Sequence, residues 1–205
     1  LRFPIYFNRG LYVELVGEIL LLLDDCGDTS DIENWEERDD GLNPVDNQVY
    51  VKQGSHSMAL EIDADLSANV FAQWRNEQSQ GDLSAYEHDW VYIWIYIPTL
   101  EYLATPGYCL EYQIGSSSGD RLAFRWLKAA LTVGWNLLKA DLDDPFSSIG
   151  TIDWLDIDFL NIRVNEVAGN THDFTIYVDS IMFVRPFSGA TDGITEGVTV
   201  QYLIE

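Results

Sequence analysis

The chain has 205 residues, 47% hydrophobic and 13% aromatic, a composition that excludes an intrinsically disordered chain and can bury a sizeable core. Eleven Lys and Arg stand against 34 Asp and Glu, a formal charge of −23 that repels nucleic-acid phosphates and anionic lipid, so neither nucleic acid nor membrane is expected as a partner. No apolar run approaches the roughly 20 residues of a membrane-spanning helix.

Residues 1–17 carry Arg2, Arg9 and Glu14 without a continuous apolar stretch and read as an N-terminal extension holding a strand at 5–16, not as a signal peptide. Beginning at Leu1, the chain is expected to be processed or excised from a longer one. A strand follows at 19–26, then an acidic, loop-like stretch at 24–46 and a strand at 49–53. In 57–66, Met58, Leu60, Ile62, Ala64 and Leu66 alternate with Ala59, Glu61, Asp63 and Asp65, so one face is apolar and the other wet. Residues 70–78 repeat the pattern, with Val70, Ala72 and Trp74 opposed to Phe71, Gln73 and Arg75. From 89 to 97 neither face is made for water: Val91, Ile93, Ile95 and Ile97 oppose Trp90, Tyr92, Trp94 and Tyr96, and Pro98 stops the strand.

Further strands are expected at 108–115, 121–127, 135–142, 155–166 and 174–184, separated by polar turns such as 115–120. Residues 188–205 read as a linker and a last strand at 198–204. No stretch holds a helical apolar stripe across three turns. The expectation is an all-β domain over 18–187, about ten strands in two packed antiparallel sheets, a sandwich or jelly roll. A doubly wound α/β fold is excluded. Cys26 and Cys109 each lie beside an apolar run and fit one disulfide or two buried thiols equally well.

Period two also sorts the polar side chains. Opposite the apolar sets Leu110/Tyr112/Ile114, Leu122/Phe124/Trp126 and Leu160/Ile162/Val164 lie Glu111 and Gln113, Ala123 and Arg125, and Asn161 and Arg163; Gln73 and Arg75 complete the set. Planar guanidinium and amide donors suit sugar hydroxyls or, where arginines are unpaired, uronate and sulfate groups. The plain alternative is a solvated face with cross-strand Arg–Glu pairs. The rings of 90–96 could stack on sugars or lie under a covering segment. His56, His88 and His172 are isolated, no HExxH or Gly-x-Ser-x-Gly pattern occurs, and acidic residues are too abundant to single out a pair, so no catalytic residue is expected.

Five segments carry a family likeness: Leu23-Asp24-Asp25 with Trp35 beyond it; Gly54-Ser55-His56-Ser57-Met58-Ala59-Leu60; Val91 through Pro98; Gly134-Trp135-Asn136 with Asp141-Leu142; and Ile176-Tyr177-Val178-Asp179-Ser180-Ile181. In this order, over roughly 18–186, they resemble the carbohydrate-binding modules with a galactose-binding-like jelly-roll β-sandwich that are appended to secreted polysaccharide-active enzymes. The resemblance implies that 70–78, 108–115, 121–127 and 157–165 share a sheet with an open outer face. Gln73, Arg75, Glu111, Gln113, Arg125, Asn161 and Arg163 would then bind a glycan, acidic ones included. It implies that strand 90–97 lies in the other sheet beneath the termini. It also implies a structural calcium held by Asp24 or Asp25 with Asp179, helped by backbone oxygens of 54–57. Cys26-Gly27 replaces the family's usual aromatic and acidic pair there. The implied setting is extracellular: secreted, cell surface or virion. Two other readings share the fold, a structural subunit of an extracellular assembly self-associating through its terminal strands, and a β-sandwich polysaccharide lyase.

Overall fold

The computed structural model describes residues 18–26, 32–64 and 70–185. Twelve strands follow in chain order: β1 (Glu18–Asp24), β2 (Trp35–Asp39), β3 (Val45–Asn47), β4 (Ser57–Ile62), β5 (Phe71–Asn76), β6 (Trp90–Ile97), β7 (Tyr108–Ser117), β8 (Asp120–Leu127), β9 (Gly134–Asp141), β10 (Ser147–Ile149), β11 (Phe159–Asn165) and β12 (Phe174–Arg185). They form two six-stranded sheets whose neighbouring strands pair antiparallel. One has the order β3-β4-β12-β6-β9, with β1 also on β12; the other has the order β10-β8-β7-β11-β5-β2.

The alternation that marks the strands also builds the core between the sheets. Met58, Leu60 and Ile62 of β4, Val91, Ile93, Ile95 and Ile97 of β6, and Ile176 and Val178 of β12 meet Leu110, Tyr112 and Ile114 of β7 and Leu160, Ile162 and Val164 of β11, all buried. Each aliphatic side chain so buried contributes about 1.5–3 kcal/mol. Two indoles are satisfied within this core, Trp74 donating to the Leu42 carbonyl at 2.8 Å and Trp35 to Asp24 Oδ2 at 2.8 Å.

One extra residue resets the parity of β12. Ser180 has φ +60°, and the register with β6 slips between Asp179 and Ile181. Before this bulge Ile176 and Val178 face the core; after it Ile181 and Phe183 do. Residues 174–178 pair with β4 and 181–185 with β1, while β6 pairs with 177–184 on the other flank.

Several expected boundaries change. Residues 49–53 are not a strand: Asn47 Oδ1 accepts from the N–H groups of Val49 (3.0 Å) and Tyr50 (2.8 Å), an Asx turn that takes the chain out of the ladder after β3. The stretch 24–46 is not all loop, for it holds β2 and β3. Only Trp35 of β2 is buried, so this short, charged edge strand has no apolar alternation to announce it. β10, Ser-Ser-Ile, is equally silent. Val70 lies before β5 and is exposed rather than facing inward. The strands expected at 5–16 and 198–204, and Asp65 and Leu66, lie outside the described residues.

Both cysteines are buried free thiols. Burial pushes the Cys109 thiol up to about 11, and burial together with the charges of Asp24 and Asp179 holds Cys26 well above its ordinary value. A thiol reagent at pH 8 is expected to find no reactive cysteine in the folded protein and both in urea. A thiol titrated before unfolding, or none after it, would contradict this.

Candidate functional site

The sheet β10-β8-β7-β11-β5-β2 carries the expected polar residues on its outer face, and the registers put them in rows. One row runs Ser147, Ala123, Gln113, Asn161, Arg75, Glu36; the next runs Arg125, Glu111, Arg163, Gln73, Arg38. All seven residues singled out from the sequence, Gln73, Arg75, Glu111, Gln113, Arg125, Asn161 and Arg163, thus share one face. A third row, Ile149, Arg121, Gly115, Phe159, extends it. Gly115 leaves no room for a side chain, since a Cβ there would lie 2.1 Å from the Asp120 carbonyl oxygen.

The floor is a hydrogen-bonded chain. Arg125 Nε donates to Glu111 Oε2, Gln113 Nε2 donates to Glu111 Oε1, and Asn161 Nδ2 donates to Gln113 Oε1 at 3.3 Å. Glu111 is 2% exposed and Asn161 1%. Gln73 Nε2 donates to Asp39 Oδ2, and Arg163 Nε donates to Asn165 Oδ1 at 3.0 Å.

Guanidinium groups rise above this floor against aromatic rings. Arg163 lies 3.6 Å from the Phe71 centroid, and Arg125 lies 4.0 Å from Tyr108 and 4.1 Å from Phe146. Arg75 and Arg121 stand 5.8 and 6.0 Å from Phe159. Beside Arg125 a cleft of about 430 Å³ opens at the rim, lined by Lys139, Asp141, Asp144 and the exposed Phe146. Arg121, Phe159, Phe71 and Tyr108 were not singled out from the sequence. Arg121 and Phe159 lie two residues from Ala123 and Asn161, so continuing the same alternation one step would have found them.

The residues implied for calcium are placed differently. Asp179, fully buried, accepts at Oδ2 from the N–H groups of Lys52 (2.6 Å) and Gln53 (2.9 Å), and at Oδ1 from the Ser180 hydroxyl (2.8 Å). Asp24 accepts at Oδ1 from the Cys26 N–H and at Oδ2 from Trp35, both at 2.8 Å. Burial raises the Asp24 carboxyl above its ordinary value in spite of these bonds. Asp25 is exposed. Carboxylate oxygens that face N–H and O–H donors do not fit a calcium ion.

On the other sheet Trp90, Tyr92, Trp94 and Tyr96 point away from the core. Tyr92 is buried with Met182 and Val184 as a small second cluster. Tyr50, on the loop after β3, stacks on Tyr96 at 4.3 Å and lies 4.6 Å from Tyr177, so among the described residues this loop provides the cover at that end. The three histidines are engaged elsewhere: His56 with Asp46, His88 with Asp143, and His172 beside Tyr102.

No family model matches the chain, and no curated protein matches it. Solved structures do. A carbohydrate-binding module of the β-sandwich superfamily, described for its promiscuous specificity, aligns at 14% identity over 74% of this chain and 57% of its own, with a TM-score of 0.52. The family 11 carbohydrate-binding module of Clostridium thermocellum, solved with a β-1,3-1,4-mixed-linked tetrasaccharide, aligns at 14% identity over 84% of this chain and 98% of its own, TM-score 0.51. An exo-β-agarase aligns at 12% identity over 82% of this chain and 24% of its own, TM-score 0.54. At such identities the likeness establishes the jelly-roll β-sandwich fold.

Proposed function

We propose that this protein is an extracellular, non-catalytic glycan-binding module that uses the outer face of the β10-β8-β7-β11-β5-β2 sheet, and that its glycan carries acidic groups. The observation that carries the reading is the three-row face itself, with amides for the floor, guanidinium groups for the walls and rings beneath them. Amides and guanidinium groups offer the in-plane donors and acceptors that sugar hydroxyls need, and the exposed Phe146 ring can receive the apolar side of a pyranose. The fold shared with carbohydrate-binding modules supports it.

The acidic preference rests on unpaired arginines. With 34 Asp and Glu against 11 Lys and Arg, a carboxylate is readily available to any arginine. Yet Arg121 has no ion pair among the described residues, and Arg75 has only Glu77 at 3.9 Å. The Nε atoms of both, and Oδ1 of Asn161, are buried without a partner among the described residues. A uronate carboxylate or a sulfate ester supplies charge-assisted acceptors for the two guanidinium groups, both of which are partly exposed.

Affinity electrophoresis of the full chain through gels containing polygalacturonate, a sulfated galactan or a neutral mixed-linkage β-glucan tests this. Retardation is expected in an acidic gel above the neutral one. Arg125→Ala should weaken it about tenfold, the loss of one charge-assisted bond. Arg121→Ala should remove the acidic preference, and Lys52→Ala, on the loop whose Lys52 Nζ lies over Trp94 of the opposite sheet, should change nothing. Equal mobility in every gel sinks the glycan reading. Binding to the neutral gel alone sinks only the acidic preference.

A further inference from the structure

At the end of the sandwich where β2, β4 and β11 finish and β12 begins, four carboxylates are brought together by the backbone. The Asp40 N–H donates to the Phe71 carbonyl, and the Asp63 N–H donates to the Asp40 carbonyl at 2.9 Å. The Glu166 N–H donates to the Val70 carbonyl at 2.8 Å, next along the chain from Phe71. Asp173 Oδ1 accepts from the Ala64 N–H at 3.2 Å, which brings the start of β12 against the residue that follows Asp63.

Two of these side chains are buried with oxygens that meet no donor among the described residues. Asp40 is 0% exposed, and neither Oδ1 nor Oδ2 has a hydrogen-bond partner among the described residues. Glu166 is 5% exposed; its Oε2 accepts from Asn170 Nδ2 at 2.8 Å, but Oε1 has no partner among the described residues. Glu166 also feels the negative charges of Asp40, Asp173 and Asp63, which together with burial raise its carboxyl above the ordinary value. Buried carboxylates elsewhere in this protein are met by donors, as Asp24, Asp179 and Glu111 show. Among the described residues no Lys, Arg or His forms an ion pair with Asp40 or Glu166. A buried anion needs a counter-charge, and oxygen-only ligands select a hard cation.

We propose that Asp40 and Glu166 bind a divalent cation, calcium in preference to magnesium, at this seam between the two sheets. Among the described residues no three acidic, histidine or cysteine side chains chelate by themselves, so backbone carbonyls and water complete the six to eight oxygens that calcium takes. Magnesium, which demands a near-ideal octahedron, fits such an irregular set less well. The ion would join the segment after β2, in one sheet, to the turn that carries the chain from β11 to β12 in the other. It would also stiffen the end of the ligand face, because Asn165, next to Glu166, holds Arg163. This site is separate from Asp24 and Asp179, and it stands whether or not the protein binds glycan.

Thermal unfolding of the full chain, freed of metal with a chelator and titrated with calcium chloride or magnesium chloride, tests it. Calcium is expected to raise Tm by several degrees, and magnesium by less, because a ligand of the native state stabilises it by mass action. Calorimetric titration should give one calcium per chain. Asp40→Asn should lose both the shift and the binding heat while remaining folded in the absence of metal, since an amide relieves the local repulsion. Wild-type melting indifferent to calcium overturns the proposal. So does a calcium shift that Asp40→Asn and Glu166→Gln both retain. Wild-type melting that responds to pH but not to calcium would mean that a proton neutralises the pair, which also overturns it.

Discussion

Glu111→Ala is expected to destabilise the protein by roughly 2–3 kcal/mol and to weaken binding on the sheet face by up to about tenfold. Glu111 is buried in the middle of β7, and its two carboxylate oxygens accept from Arg125 Nε and Gln113 Nε2. Breaking a buried pair from one side costs about 3–5 kcal/mol, because the partner is left charged and unmatched. A quarter of the Arg125 side chain is exposed, so water recovers part of that cost. Glu111→Gln keeps an acceptor and the volume, and should lose less than half as much. The binding loss has a separate cause, for without its carboxylate the Arg125 guanidinium is no longer held between Tyr108 and Phe146. Urea unfolding and polysaccharide electrophoresis, run on both variants, check the two effects. An unchanged urea midpoint for Glu111→Ala would refute the central role given to this carboxylate.

The second large effect concerns Asp179. Asp179→Ala should cost about 3 kcal/mol, or a Tm lower by roughly 10 °C in a domain of this size. The carboxylate is the acceptor for the Lys52 and Gln53 N–H groups, which tie the loop after β3 to the bulge of β12. Without it two backbone donors lose their acceptor, and Tyr50 loses the support that keeps its ring on Tyr96 and Tyr177. The same variant discriminates between two places for a cation. The calcium-dependent rise in Tm should persist in Asp179→Ala and vanish in Asp40→Asn. The reverse result would restore the calcium site that the family resemblance implied and remove the one at Asp40 and Glu166.

These cases mark how far the sequence reaches. β5, β7, β8 and β11 alternate strongly, so their sides could be assigned from the residues alone, and Gln73, Arg125 and Asn161 do stand together in the structure. β2 and β10 could not be read that way. An edge strand buries one or two side chains, and Trp-Glu-Glu-Arg-Asp or Ser-Ser-Ile has no period to detect. Yet β2 brings Arg38 and Glu36 to the face, and the turn into β10 brings Phe146. Val49 and Tyr50 look strand-forming by composition, but Asn47 captures their N–H groups locally and bends the chain away. Asp179 shows another limit, for the resemblance placed it at the right strand but could not tell which donors its oxygens meet. Asp40 and Glu166 gave no sign in a chain so rich in carboxylates; only burial with oxygens that meet no donor among the described residues sets them apart.

What the sequence determined by itself is which side chains share a side of each strand, because successive Cβ atoms point to opposite faces of a pleated chain whatever the partner. The all-β class and the polar outer face follow from that local geometry. Only the tertiary structure decided which strands are neighbours, which carboxylate meets which arginine, and which polar atoms are buried unpaired. Those depend on register between residues as distant in sequence as Asn161 and Arg75, and on the bulge at Ser180 that resets β12. Pairing of this kind is a property of the packed chain, since distant segments supply the donors, the charges and the cover that make one Asp a loop clamp and another a candidate cation ligand.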